Sequence, residues 1–314
     1  MHREQISGPG ELVATVPYLL GFHPEHSLVA VCLKDRNLQC VFRVDLPDHT
    51  EHLDDMPTLT RQAQNNNCDA VVLIAFGEGG IAEAALRYSA MAFTGASIYT
   101  VDLIQVIGDH WFSLDCLGDC CPPGGRPIPD RSVAGELIAM VAGPARPNRA
   151  SVTELLEPVS EERRQAVADA VASTSREWAA MSEPERKAAA MSAVEAQQEL
   201  TVHLPGPDEV ARLALAVSRF DVRDFVLGFA RDKASVARTD LWIWVARHLE
   251  DTLVAPAATI AAYSAYTGGD GVLAVECLLL APRAEREYRL AALLLFALQE
   301  GIPIAKFHHL LPDD

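Results

Sequence analysis

His110, Cys116, Cys120 and Cys121 fall within a dozen residues of one another. Imidazole nitrogen and thiolate sulfur are the usual donors of tetrahedral zinc, so residue types alone make this stretch a candidate zinc site. The spacing argues the other way. Structural zinc sites draw on paired short turns of the C-x₂-C kind, whereas the adjacent Cys120 and Cys121 point in divergent directions. The segment Asp115–Asp130 is therefore read as a buried thiol loop pinned by Pro122-Pro123. Zinc is the alternative there, and no cofactor is expected. Redox pairing of Cys116 with Cys120 or Cys121 lacks the C-x-x-C motif at a helix N-terminus that lowers a thiol pKa. The remaining Cys32, Cys40, Cys68 and Cys277 fall in or beside expected core elements.

Other chemistry-bearing residues have plainer explanations. His23 and His26 flank Pro24-Glu25 and could act in acid/base or metal chemistry, but no third partner stands at helical or hairpin spacing. They read as exposed residues of a turn. Gly77-Glu78-Gly79-Gly80 occupies a strand-to-helix turn, where backbone N–H groups can cradle phosphate. It matches no phosphate-binding motif, and Glu78 would repel an anion. Gly124-Gly125-Arg126 reads as a loop turn with a solvated arginine, although Arg126 could fork onto an anion. His49 and His52 suit a solvated helix start, and His308-His309 a short C-terminal helix. Trp242 and Trp244, two apart, lie on different faces of a helix. No G-x-S-x-G motif is present.

The elements that must position these residues divide into two kinds. In the N-terminal half, a short helix over Gly10–Leu20 is opened by Pro9, and Ser27–Leu33 with Gln39–Leu46 makes a hairpin across a polar turn. Leu53–Asn65 is weakly helical. Ala70–Phe76, Ile81–Phe93 and Ser97–Ile107 form a strand-helix-strand unit, followed by a short strand at His110–Leu114 and a helix at Ser132–Val141. Val71–Ala75 is apolar throughout, which suits a strand covered on both faces. The prediction is an α/β N-terminal domain with a mixed sheet over 1–143, closed by the breaker cluster Gly143–Asn148.

Residues 149–314 predict an all-α domain, with helices over Glu161–Ser173, Glu183–Val202, Asp208–Arg219, Val222–Phe229, Arg238–Leu249, Ala255–Tyr266, Val272–Leu280 and Glu287–Gln299. Within it, Ala262, the turn Gly269-Asp270, then Ala274, Leu278 and Ala281 resemble one tetratricopeptide-like helix pair. Such a pair could leave Thr259, Tyr263 and Tyr266 to line a groove for another protein; flanking helices would otherwise fill it and make the tyrosines core.

Three stretches together are similar to a known family. Ser7–Leu12 running on through Val16–Phe22 to Ser27–Val29, then Trp111–Cys116 with Cys120–Gly125, and then Ala255–Ala281 with Gly269-Asp270, resemble the actinobacterial domain-of-unknown-function family 4192. The resemblance spans nearly the whole chain and implies an α/β first half and a helical second half. It implies no catalytic residue.

Composition narrows the function classes. The 314 residues are 49% hydrophobic and 22% charged, ordinary for a folded protein, and both halves share a net charge of −17. An acidic chain without a basic run is a poor match for nucleic acid or anionic lipid. The first residues lack a secretory leader, no apolar run reaches membrane length, and seven scattered cysteines suit a reducing compartment, so a cytoplasmic location is expected. The four lysines among abundant arginine and alanine fit a GC-rich bacterial genome. The expected role is non-catalytic binding of another protein. The rival is an enzyme or small-molecule sensor with its site near Gly77–Gly80 and Cys116–Arg126, at the strand C-terminal ends.

Overall fold

The structure is a computed structural model and describes residues 6, 8–55, 57–116, 118, 121–198, 204–229, 236–280, 288–303 and 306. It divides into two compact units: Met1–Arg149 together with Gln299–Pro303, and Ala150–Leu298 together with Ile304–Asp314.

The first unit carries a mixed six-stranded sheet in the order β2-β1-β3-β4-β5-β6. Its strands are β1 (Ser27–Lys34), β2 (Asn37–Asp45), β3 (Ala70–Phe76), β4 (Tyr99–Ile107), β5 (His110–Ser113) and β6 (Arg126–Pro127). β3 and β4 are parallel, joined through helix α3 (Gly80–Gly95), and the other neighbours are antiparallel. β3 is buried along nearly its whole length, as its unbroken apolar sequence requires. One face packs Leu28, Ala30, Val71, Leu73 and Ala75 against Ala82, Ala85, Leu86 and Phe93 of α3 and against Leu59 and Ala63 of α2 (Pro57–Asn65). Helices α1 (Pro9–Leu20) and α4 (Val133–Ala142) pack on each other. A Cβ at Gly135 would stand 2.4 Å from the Tyr18 ring, so glycine permits that approach. Ser132 caps α4 by accepting from the Gly135 N–H and also bonds Thr15 Oγ1 at 2.7 Å, tying the two helices together.

The second unit is helical: α5 (Ala150–Glu154), α6 (Glu161–Ala179), α7 (Glu183–Gln198), α8 (Pro207–Val217), α9 (Phe220–Phe229), α10 (Val236–Arg247), α11 (Val254–Thr267), α12 (Gly271–Leu280) and α13 (Arg289–Gln299). α11 packs against α8, α9, α10 and α12 and is buried from Val254 to Ala265. Its sequence, apolar on every side, accounts for that central place. No helix among the described residues is long and apolar enough to cross a membrane.

Candidate functional site: a three-thiol cluster

The hairpin of β1 and β2 turns through Asp35 and Arg36, both with positive φ (49° and 63°), the geometry of a two-residue turn that follows the twist of its strands. Asn37 Nδ2 donates to the Asp35 carbonyl at 2.8 Å and supports the turn. The register then runs Lys34↔Asn37 and Leu33↔Leu38 before shifting to Cys32↔Cys40. Gln39 is the extra residue of a β-bulge. Without the bulge Cys32 would face Gln39, and Cys40 would project from the opposite side of the sheet; with it, both thiols share one face.

Cys68 reaches the same place from the chain between α2 and β3. Its backbone N–H donates to Ala63 O at 3.1 Å, closing the end of α2, and the next N–H, of Asp69, donates to Leu33 O at 3.0 Å. The Asp69 carboxylate accepts from the Asp35 N–H at 3.0 Å and pairs with Lys34 Nζ at 3.2 Å. The Asp35 N–H foremost, with help from the Lys34 ammonium, holds this carboxyl below its ordinary pKa. Asp69 thus pins the hairpin tip to the residue beside Cys68.

Behind Cys68, α2 is clamped by the returning segment Gln299–Gly301. Arg61 pairs with Glu300 at 2.9 Å, Gln62 Nε2 donates to Gln299 O at 2.8 Å, and Asn65 and Asn66 donate to Glu300 O and Gly301 O at 2.7 Å each. Gly301 has φ +62°, and a Cβ there would stand 2.7 Å from Gln62 Cβ.

The outcome is a cluster in which the Sγ atoms of Cys32, Cys40 and Cys68 all lie within 4.8 Å of one another, with Cys40 and Cys68 at 3.7 Å. Cys32 and Cys68 are buried, and Cys40, on the outermost strand, is half-buried. Contacts with the Cys32 and Cys40 thiols lower the pKa of Cys68. Cys32 moves up, through its contacts with Cys40 and Cys68 and through burial. Cys40 is drawn down by Cys32 but pushed further the other way by Cys68 and by burial, to about 12. Three bare thiolates this close would repel one another strongly.

The Cys40–Cys68 separation is compatible with two sulfurs sharing one soft ion. Two sulfurs bound at about 2.3 Å to one centre stand about 3.8 Å apart in a tetrahedron and about 4.0 Å apart in a trigonal plane. Among the described residues, these three cysteines are the group of histidine, cysteine and acidic side chains whose donor atoms converge.

The residues singled out from sequence are placed otherwise. His110 opens β5 with Nδ1 2.7 Å from Asp109 Oδ1. Cys116 and Cys121 are half-buried and, with His110, bring no three donor atoms together; Cys120 lies outside the described residues. His23, Glu25 and His26 are exposed, with His26 Nε2 3.9 Å from Asp48. At Gly77–Gly80 the Gln105 amide donates to Gly77 O at 3.0 Å and Gly79 O at 3.4 Å, bracing the turn from β3 into α3. Arg126 is exposed in β6. Tyr263 is 2% exposed and Thr259 fully buried within α11, while Tyr266 is half-buried. Ala281 and His308-His309 lie outside the described residues.

A model of the family described as Domain of unknown function (DUF4192) matches residues 9–304. The chain belongs to that family. The three cysteines of this DUF4192 chain all fall inside the matched span. No curated protein and no solved structure matches it.

Proposed function

We propose that this DUF4192 chain is a non-catalytic binding protein whose α/β unit holds one soft metal ion, zinc or another thiophilic cation, on Cys32, Cys40 and Cys68. The observation that carries the reading is the convergence of three sulfurs within 4.8 Å, two of them at the separation expected of thiolates sharing an ion. Sulfur donors select such cations over magnesium or calcium, which require oxygen. A bound cation would relieve the repulsion among three thiolates held this close. Three anionic thiolates leave the ion only weakly Lewis-acidic, which suits retention or transfer better than hydrolysis. Asp69 and the clamp on α2 act as the supports that orient the ligands.

Cadmium titration of the reduced, metal-free chain tests the reading. Near-ultraviolet sulfur-to-cadmium charge-transfer absorption should saturate at one ion per chain. Cys40→Ser should weaken binding at least ~100-fold, whereas Cys116→Ser with Cys121→Ser should leave it unchanged. Absorption that follows Cys116 and Cys121, or none at all, overturns the assignment.

A further inference from the structure

We propose that Cys40 and Cys68 form a reversible oxidation site for hydroperoxides, whose closure to a disulfide dismantles the ion site. The disulfide stands on sulfur geometry alone; ion release rests additionally on the metal-holding reading. The two sulfurs are in contact at 3.7 Å. Shortening that separation to a bond of about 2 Å needs little more than rotation of one side chain about Cα–Cβ. Cys40 has room for the rotation because it is half-buried on the outermost strand, and it is also the thiol that an incoming small oxidant meets first. Cys68 is buried behind it, in place to resolve the intermediate before a second oxidant arrives.

The chemistry balances with hydrogen peroxide as the sole co-reactant. The Cys40 thiolate, its proton given up to solvent, attacks one peroxide oxygen; an S–O bond forms, the O–O bond breaks, and the departing hydroxide takes a proton from solvent and leaves as water. Cys40 is then a sulfenic acid. The Cys68 thiolate attacks the Cys40 sulfur; an S–S bond forms, the S–O bond breaks, and the departing hydroxide takes a proton from solvent and leaves as water. Two thiols give up two electrons, and one peroxide becomes two waters. The disulfide sulfurs carry no negative charge, so an ion would retain Cys32 as its sole thiolate and dissociate.

The test treats the full chain, metal-free and zinc-loaded, with stoichiometric hydrogen peroxide. Alkylation and peptide mass spectrometry map the disulfide, and a chromogenic chelator reads zinc. The expected product is a Cys40–Cys68 disulfide reversed by dithiothreitol, with one zinc released per disulfide formed. Cys68→Ser should stop closure and leave a Cys40 sulfenic acid trapped by dimedone, while Cys32→Ser should still close. A Cys32–Cys40 disulfide, or oxidation confined to Cys116 and Cys121, overturns the inference. If zinc binds but no Cys40–Cys68 bond forms, the oxidation site fails and the metal site stands. If the disulfide forms in a chain that never took up zinc, the metal reading fails and the oxidation site stands.

Discussion

The Sγ atoms of Cys40 and Cys68 lie 3.7 Å apart although 28 residues separate them in the chain. Two local devices produce that contact: the bulge at Gln39, which turns Cys40 to the face of Cys32, and the Asp69 carboxylate, which fastens the hairpin tip beside Cys68. Asp69 supplies no donor to the cluster, so its effect on an ion is one of positioning. Asp69→Ala should raise the cadmium dissociation constant by about 10-fold, in the usual range for a supporting residue. Its ion pair with Lys34 is solvent-screened, so global stability should fall only slightly. Cadmium titration and chemical denaturation of the same variant check both halves.

The clamp on α2 gives a second prediction. Gly301→Ala places a side chain at φ +62° against Gln62 and must push the returning segment away from α2. A loss of about 1–3 kcal/mol is expected in the α/β unit, accompanied by weaker ion binding. Hydrogen exchange should show faster exchange at the Cys68 and Asn66 amides. Unchanged exchange there would show that the clamp does not hold the site.

Tyr263 lies in the core of the helical unit, at 2% exposure. Tyr263→Ala should cost about 3–5 kcal/mol, the usual loss for truncating a buried large aromatic. Tyr266→Ala, at a half-buried position, should cost less. Denaturant midpoints of the two variants provide the comparison, and a silent Tyr263→Ala would mean that the ring faces an open groove.

His248 should make the helical unit acid-sensitive. Burial lowers its pKa, against the pull of the Trp244 carbonyl, which accepts from Nδ1–H at 2.7 Å, and Arg163 and Arg247 push in the same direction as burial. The unfolded imidazole titrates near about 6.5. Because the folded pKa lies below that, the unfolded chain takes up more protons on acidification. The His248 contribution is complete above the unfolded value and is lost as pH falls through the folded one. Melting temperature should therefore decline as the pH is lowered below about 6.5, and His248→Gln should flatten the decline. An identical pH profile in the variant would contradict this.

Much of the fold was legible because it follows from local periodicity. The hairpin, the strand-helix-strand unit around Val71–Ala75 and helices α6 to α13 of the second half occupy the stretches whose hydrophobic spacing calls for them, whereas the short α5 was not foreseen. The thiol cluster was not legible, for a definite reason. A turn at Asp35-Arg36 pairs Lys34 with Asn37 and Leu33 with Leu38, and continuing that count sets Cys32 against Gln39 with Cys40 on the far face. The one-residue bulge that reverses this carries no glycine or proline to announce it, and Cys68 arrives only after the whole of α2. The His110–Cys121 stretch drew attention because its residues are close in sequence, whereas Cys32, Cys40 and Cys68 are close only in space. In the helical half, of the small residues that suggested a paired repeat, Ala274 lies in α12 and Ala262 in α11, which is buried from Val254 to Ala265. Its alanines serve close packing on several neighbours at once.

The central claim is that three cysteine sulfurs bind one ion, and zinc-edge X-ray absorption of the loaded chain tests it most directly. The account predicts three sulfur scatterers at about 2.3 Å from the metal, and loss of the bound ion when Cys32, Cys40 and Cys68 are changed to serine together. A shell made of nitrogen and oxygen alone, or an unchanged spectrum in the triple variant, would contradict it.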